Sequence, residues 1–311
     1  MVAWWLLTSM VPLSLMAPEI QAPKSYRVAV LSDLNGSYGS TTYKTRVHDA
    51  VLWLTHTLKP HAVISTGDMI AGQRKGLDHR GMWRAFHRAV TTPLSRAAIP
   101  FAPSPGNHDA SGYRAFQAER HEYTRQWSRH RPAVEFVEDT YYPLHYAYTV
   151  GPALFISLDD TVVGDLGSPQ RLWLEDILKA NKKPLVFVYG HLPLFPVAQG
   201  REHEILKDPK LERLLRRHKV DAFISGHHHA YYPGKRQGLH LIHTGCMGSG
   251  PRALVGSAQR SLPSAAVITY DSSGKWTVEA HTGPNMAHRI PRATLPPMLT
   301  HLNQSLLRDD I

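Results

Sequence analysis

One cysteine, Cys246, is all the chain has. A lone thiol excludes an internal disulfide framework and a cysteine-rich zinc site, so any metal must be held through oxygen and imidazole. Acidic residues are also few: 25 Asp and Glu stand against 35 Lys and Arg, a net +10. That balance favours anionic partners such as phosphate esters, nucleic acid or an acidic surface, without choosing among them. Internal repeats, low-complexity tracts and linker-like stretches are missing, which makes one domain with insertions a better reading of 311 residues than two. With 42% hydrophobic and 19% charged residues, the chain is too apolar to be disordered. Long apolar runs are missing too, except at the start. Residues 3–17 (AWWLLTSMVPLSLMA) are uncharged, but the run is shorter than the ~20 residues a bilayer crossing needs, and Pro12 interrupts it. It reads as the apolar region of a secretory signal peptide within residues 1–22, which implies a periplasmic or secreted protein. Neither Lys nor Arg precedes the run, and proline follows both candidate cleavage points, Ala17 and Ala22; an N-terminal anchor or a cytoplasmic chain is the alternative.

What is abundant is histidine, 20 residues of it, set in a pattern of alternating strands and amphipathic helices. Apolar runs at 27–33, 61–68, 99–109, 153–159, 184–191 and 221–229 read as buried strands. Helical periodicity marks 44–58, 79–94, 113–130, 168–180 and 203–217, and in the first of these Val47, Val51, Leu54 and Leu58 share one face. Period-2 patterning in GLHLIHTG, SAAVITYD and KWTVEAHTG predicts antiparallel strands toward the C-terminus. The main domain spans 23–283, and residues 284–311 show no clear pattern and read as a docked tail.

Five of the apolar runs end in residue types that bind hard or borderline metals: VLSD to Asp33, STGD to Asp68, SPGNHD to Asn107, His108 and Asp109, VYGH to His191, and ISGHHH to His227, His228 and His229. Ligand sites in α/β sheets collect beyond the carboxyl ends of the strands, so these loops are expected to converge on one crevice. Each piece alone has an ordinary alternative, since Gly-Asp is a common turn and a single histidine is usually satisfied by a hydrogen bond. Their joint occurrence at strand ends points to a metal site. Oxygen and imidazole donors suit Mn, Fe, Zn or a mixed pair, and a structural zinc site needs only four of them. Two cations sharing a carboxylate can hold a bridging hydroxide nucleophile and clamp a phosphoryl group in line.

The ordered blocks D-x-N, GD, GNHD, GH and GHHH resemble those of the calcineurin-like metallophosphoesterases, over roughly residues 26–245. The resemblance implies a four-layer αββα sandwich with two mixed sheets, and hydrolysis of phosphate mono- or diesters with two divalent or mixed-valence metal ions. It assigns Asp33 and His229 to the first metal, Asp68 to both, and Asn107, His191 and His227 to the second. His108 becomes the general acid toward the leaving oxygen, with Asp109 either orienting its ring or capping a helix N-terminus. The departure is Asn35, where the family pattern has histidine; an amide oxygen coordinates more weakly and favours harder ions such as Mn. That change, GHHHAYYPG and YGHLPLFP are similar to purple acid phosphatases, but the tyrosine those enzymes carry three residues after the second-block aspartate is Ala71 here, leaving Tyr38 as the nearby tyrosine.

Arg74, Lys75, Arg201, His203 and Arg252 fall in loops at the expected mouth, where they suit phosphate oxygens or form a solvated surface. The Gly-rich TGCMGSGPR loop offers backbone N–H groups to an anion or is simply a turn, and Cys246 within it reads as a small buried residue. Arg and His interleave with aromatics over 113–132, either as a nucleic-acid track or, preferred here, as an amphipathic cover helix. A metal-binding module that has lost hydrolysis is the alternative motivated by Asn35.

Overall fold

The computed structural model describes Met1 and residues 23–248 and 250–311, so the leader expected within 1–22 lies, Met1 apart, outside the described residues. Two mixed sheets stack face to face. The first contains β1 (Tyr26–Leu31), β2 (Ala62–Ser65), β3 (Phe101–Pro103), β11 (Ser264–Tyr270), β12 (Trp276–Thr282) and β13 (His288–Arg289), in the order β13-β12-β11-β1-β2-β3. The second contains β4 (Glu135–Glu138), β5 (Tyr146–Val150), β6 (Ala153–Ser157), β7 (Leu185–Tyr189), β8 (Ala222–Ser225), β9 (Tyr232–Arg236), β10 (Leu239–His243), β14 (Met298–His301) and β15 (Gln304–Arg308), in the order β14-β15-β9-β10-β8-β7-β6-β5-β4. Strands β1, β2 and β3 run parallel, with β3 at the sheet edge and antiparallel strands on the β1 side; β6, β7, β8 and β10 run parallel between antiparallel strands.

The strands are apolar on both faces because both faces are covered. Along β1, Val28 and Val30 join the core between the sheets with Tyr148, Phe155, Phe187, Ile224 and Ile268. Ala29 and Leu31 point the other way, toward α1 (Thr45–Leu52), α2 (His79–Phe86) and α5 (Gln117–Arg129), where Val47, Trp83, Phe86, Tyr123 and Trp127 pack. On the far side, Ile156, Val188 and Phe223 meet Leu174 of α6 (Ser168–Ala180) and Leu211 and Leu215 of α7 (Pro209–Arg217). The layers are therefore helix, sheet, sheet, helix. Two short helices complete the set: α3 (Thr92–Arg96) and α4 (Asn107–Ala110).

Several elements differ from the sequence pattern for identifiable reasons. The helix expected over 203–217 begins at Pro209, because proline disfavours helical geometry at the residue before it and Asp208 Oδ1 caps the amides of Lys210 and Leu211 at 3.0 and 2.9 Å. The helices expected over 44–58 and 79–94 widen into π turns at Trp53–Leu58 and His87–Thr91. Strands β4, β5 and β9 lie where no strand was expected. Residues 284–311 do not lack structure: β13 pairs with β12, and β15 extends the second sheet by pairing with β9. Among the described residues no helix is long and apolar enough to cross a membrane.

Candidate metal centre

The candidate residues stand on loops that leave the carboxyl ends of five parallel strands, three in the first sheet and two in the second. Asp33 and Asn35 follow β1, Asp68 follows β2, Asn107 and His108 follow β3, His191 follows β7, and His227 and His229 follow β8. Asp33, Asp68, His227 and His229 all have positive φ, 48° to 63°, a conformation that costs a non-glycine residue about 1 kcal/mol or more and clusters at functional sites. The seam between the sheets closes tightly. A Cβ on Gly226 would come within 2.2 Å of Ser32 Oγ, and His191 reaches across to the Thr66 carbonyl.

The donor atoms of Asp33, Asp68 and His191 all lie within 4.8 Å of one another. Each of the three outer histidines has one ring nitrogen facing an oxygen on its outer side. His191 Nδ1 lies 2.8 Å from the Thr66 carbonyl, His227 Nε2 lies 2.8 Å from Glu204 Oε2, and His229 Nδ1 lies 3.0 Å from the Gly250 carbonyl. The carbonyls hold a proton on Nδ1 of His191 and of His229, which in a neutral ring leaves Nε2 with a lone pair, whereas His227 Nε2 is shared between Glu204 and the Arg201 guanidinium at 3.3 Å. The inner nitrogens then face further lone pairs: His191 Nε2 is 2.7 Å from Asn107 Oδ1, 3.1 Å from His227 Nδ1 and 3.5 Å from Asp68 Oδ1. His229 Nε2 is 3.1 Å from the fully buried Asp33 Oδ1, and against the effect of burial this carboxylate raises the ring to about 11, so that a proton on His229 supplies the positive charge facing Asp33. Converging buried lone pairs are unfavourable together without a cation, so the donor set fits metal ions.

Charge follows the same geometry. Burial alone would raise the Asp33 carboxyl, but the His229 and His191 imidazoles and the Ser32 hydroxyl outweigh it and hold Asp33 well below the usual carboxylate range. Burial drives His227 well below its ordinary value, with His191 and Arg201 adding to the effect. The middle histidine, His228, turns away. Its Nδ1 accepts the Val197 amide at 3.2 Å, its Nε2 lies 3.1 Å from the Glu204 carbonyl, and burial pushes it down to about 4, so it is a neutral structural residue.

His108 sits at the mouth with its side chain about one-fifth exposed. Its Nδ1 is 3.0 Å from the Gly72 carbonyl, its Nε2 is 3.8 Å from Asp68 Oδ2, and the Tyr38 ring lies 5.3 Å away, itself half exposed. The expected contact from Asp109 is not made. The Asp109 carboxylate accepts the amides of Ile70 at 2.8 Å and Gly106 at 3.2 Å, as the third residue of α4 rather than its N-cap. Burial and the neighbouring Asp68 raise the Asp109 carboxyl well above its ordinary value. Asn35 is buried and donates its backbone N–H to the Asp68 carbonyl at 3.1 Å; its carboxamide makes no hydrogen bond among the described residues.

Of the basic residues expected at the mouth, Arg201 lies closest in, with Nη1 2.5 Å from Glu204 Oε2 and 3.3 Å from His227 Nε2. Arg74, Lys75 and His203 are exposed. Arg252 donates its backbone N–H to the His229 carbonyl, and its buried Nε has no partner. In the Gly-rich loop the amides of Met247 and Gly248 are taken by the Ser32 and Asp33 carbonyls at 3.0 and 2.7 Å. Cys246 is buried against His229. Tyr123 and Trp127 are fully buried in the helical layer over the first sheet, while Tyr113 at the start of the same stretch is exposed.

Sequence reading missed Glu204, Gln73 and Asp160. Asp160 Oδ1 accepts the His191 amide at 2.5 Å, and burial pushes this carboxyl well above its ordinary value. The signal was present, because Asp160 also follows a buried strand, β6.

This is a two-sheet sandwich with an oxygen- and imidazole-lined centre at its strand ends, the layout of the metallophosphoesterases. The family described as Calcineurin-like phosphoesterase matches residues 26–231, and the chain belongs to it. Tartrate-resistant acid phosphatase type 5 from Sus scrofa is 26% identical over 219 residues, which cover 63% of this chain and 61% of that protein. Purple acid phosphatase 22 from Arabidopsis thaliana is 28% identical over 164 residues, 51% of this chain and 36% of that protein. The chain thus spans less than two thirds of the length of these relatives. Among solved structures, purple acid phosphatase PPD1 from yellow lupin (Lupinus luteus) aligns with TM-score 0.63 at 15% identity, covering 83% of this chain and 51% of that one. GAP50, the anchor in the inner membrane complex of Plasmodium, aligns with TM-score 0.59 at 14% identity, covering 86% and 88%. A phosphatase and an anchor share this fold, so the fold alone does not choose between them.

Proposed function

We propose that the chain hydrolyses phosphate esters, monoesters first among them, using two divalent or mixed-valence ions drawn from Mn, Fe and Zn. The observation that supports this is the convergence of Asp33, Asp68 and His191, whose donor atoms lie within 4.8 Å of one another, with Asn107 Oδ1 and His227 Nδ1 both turned toward His191 Nε2. Asp33 and His229, with a weak contribution from Asn35, are assigned to one ion, Asn107, His191 and His227 to the other, and Asp68 to both. Held by these residues, such ions would supply an activated water and positive charge for the phosphoryl oxygens.

The remaining chemistry belongs to the chain. With Nδ1–H committed to the Gly72 carbonyl, His108 keeps Nε2 for the substrate. Protonated there, it gives its proton to the departing alcohol oxygen, and Tyr38 walls the same side of the mouth. Asp109 acts at one remove, holding the Ile70 and Gly106 amides on either side of the Asp68 and Asn107 loops. The domain is taken as 23–283 with 284–311 docked on it, and the apolar run at 3–17 supports export.

Metal content and turnover test this together. The protein lacking residues 1–22 is expected to hold two metals per chain and to cleave a chromogenic phosphomonoester in preference to a diester. Asp68→Ala is expected to lose at least about 10³-fold in turnover together with metal. One metal or none, with no ion restoring turnover, would leave a binding module.

A further inference from the structure

Asn107 can offer the centre either its oxygen or its NH₂ group, and only the oxygen binds a cation. What faces the other end of the amide therefore decides whether Asn107 is a ligand at all. That partner is Gln73, whose Oε1 lies 2.7 Å from Asn107 Nδ2. Gln73 belongs to the loop after β2, has φ of 63°, and is held by a buried carboxylate: its amide donates to Glu119 Oε2 at 2.5 Å. Glu119, on α5, is only 4% exposed, and its Oε1 lies 3.3 Å from His79 Nε2. The residue before Gln73 serves the neighbouring group. Gly72 accepts from His108 Nδ1 at 3.0 Å and donates its own amide to the His108 carbonyl at 3.1 Å. A Cβ on Gly72 would stand 2.3 Å from that carbonyl and 2.7 Å from Glu119 Oε2, so the loop, the GNHD turn and α5 meet with no space to spare.

We infer that Gln73, anchored by Glu119, is the positioning residue that turns the Asn107 carboxamide so that its oxygen faces the metal centre. The assignment rests on the ligand role proposed above for Asn107, and its test reads metal affinity in the full chain without using turnover. Gln73→Met keeps size and shape but offers no acceptor, freeing the amide to present NH₂ to His191 Nε2. Gln73→Glu keeps an acceptor and no donor, so it enforces the native orientation. In Mn titrations followed by calorimetry, Gln73→Met is expected to weaken one of two binding events by about 10- to 100-fold, the range typical of outer-shell partners. Gln73→Glu is expected to bind Mn at least as tightly as the parent. Both should keep the parent's far-ultraviolet dichroism and melting temperature within a few degrees, because Gln73 is only half-buried.

Equal Mn affinity in the parent and Gln73→Met would overturn the assignment. So would equal weakening in both variants, which would show that Gln73 shapes the loop and not the amide. If the parent itself binds no Mn while Asp68→Ala is indistinguishable from it, the metal-centre reading fails instead, a different result from either of these.

Discussion

The two sheets contribute opposite chemistry to one centre. From the first come oxygens: the carboxylates of Asp33 and Asp68 and the carboxamide of Asn107. From the second come nitrogens: His191, His227 and His229. The oxygen side is held from below by hydroxyl and amide donors, as when Ser32 Oγ donates to Asp33 Oδ2 at 2.5 Å and the His108 amide to Asp68 Oδ1 at 2.8 Å. The nitrogen side is held by acceptors, the Thr66 and Gly250 carbonyls and the Glu204 carboxylate. Each side thus has its outer polar groups satisfied, while His191 Nε2 faces Asn107 Oδ1 and Asp68 Oδ1, and His229 Nε2 faces Asp33 Oδ1, across the seam. Neither half is a site alone, and the centre exists only because the stacked sheets bring the carboxyl ends of these strands side by side.

Three perturbations separate the contributions. His108 stands on the oxygen side but outside the proposed ligand set. His108→Ala is expected to lower turnover by about 10²- to 10⁴-fold while leaving metal content unchanged, checked by steady-state kinetics beside elemental analysis. A variant that also lost metal would move His108 into the ligand set and end its role as a free acid. The seam itself is tested by Gly226→Ala, whose new methyl would collide with Ser32 Oγ and crowd Asp33 Oδ2 at 2.8 Å. The expected cost is about 1–3 kcal/mol in urea unfolding, with weaker metal binding, because the two sides are forced apart. Unchanged stability would mean that the sheets can slide without harm to the centre.

The smallest effect lies away from the seam, in the helical layer over the first sheet. Burial, with the stacked His130 ring 3.7 Å away, pushes His87 down to about 3, so the folded state keeps it neutral where the unfolded chain, near 6.5, takes up a proton. Stability is therefore intact above about pH 6.5 and is lost as the pH falls from there toward 3, by no more than about 1.4 kcal/mol per unit for this one group. Urea midpoints measured between pH 7 and 5 should decline less steeply in His87→Phe. An identical slope would assign the whole decline to other buried histidines such as His243, which burial also holds well below its ordinary value.

Much of this was legible in the chain itself. Strands β1, β2, β7 and β8 are short runs apolar on both faces, and each is followed within three residues by one with metal-binding chemistry, so an α/β class and the donor types at the strand ends could be read from pattern, while the four-layer sandwich came from the family resemblance. The less regular β4 and β9 could not, because they are recognised only by what they pair with. Residues 288–289, 298–301 and 304–308 become strands by joining edges that exist only after the sheets have formed. Asp109 shows the same limit at the site. The family resemblance suggested a contact with His108, but the Asp109 carboxylate goes to the Ile70 and Gly106 amides, and the bond to the ring comes from Gly72, 36 residues earlier.

By itself the sequence determined which donors are available and in what order they arrive, since residue type and strand-end position are local properties. Only the tertiary structure decided which sheet each donor stands on, which nitrogen of each histidine is bare and which atom of Asn107 faces inward. Those choices depend on carbonyls, carboxylates and amides brought from distant parts of the chain, and a hydrogen bond is made only when packing puts its two ends within about 3 Å.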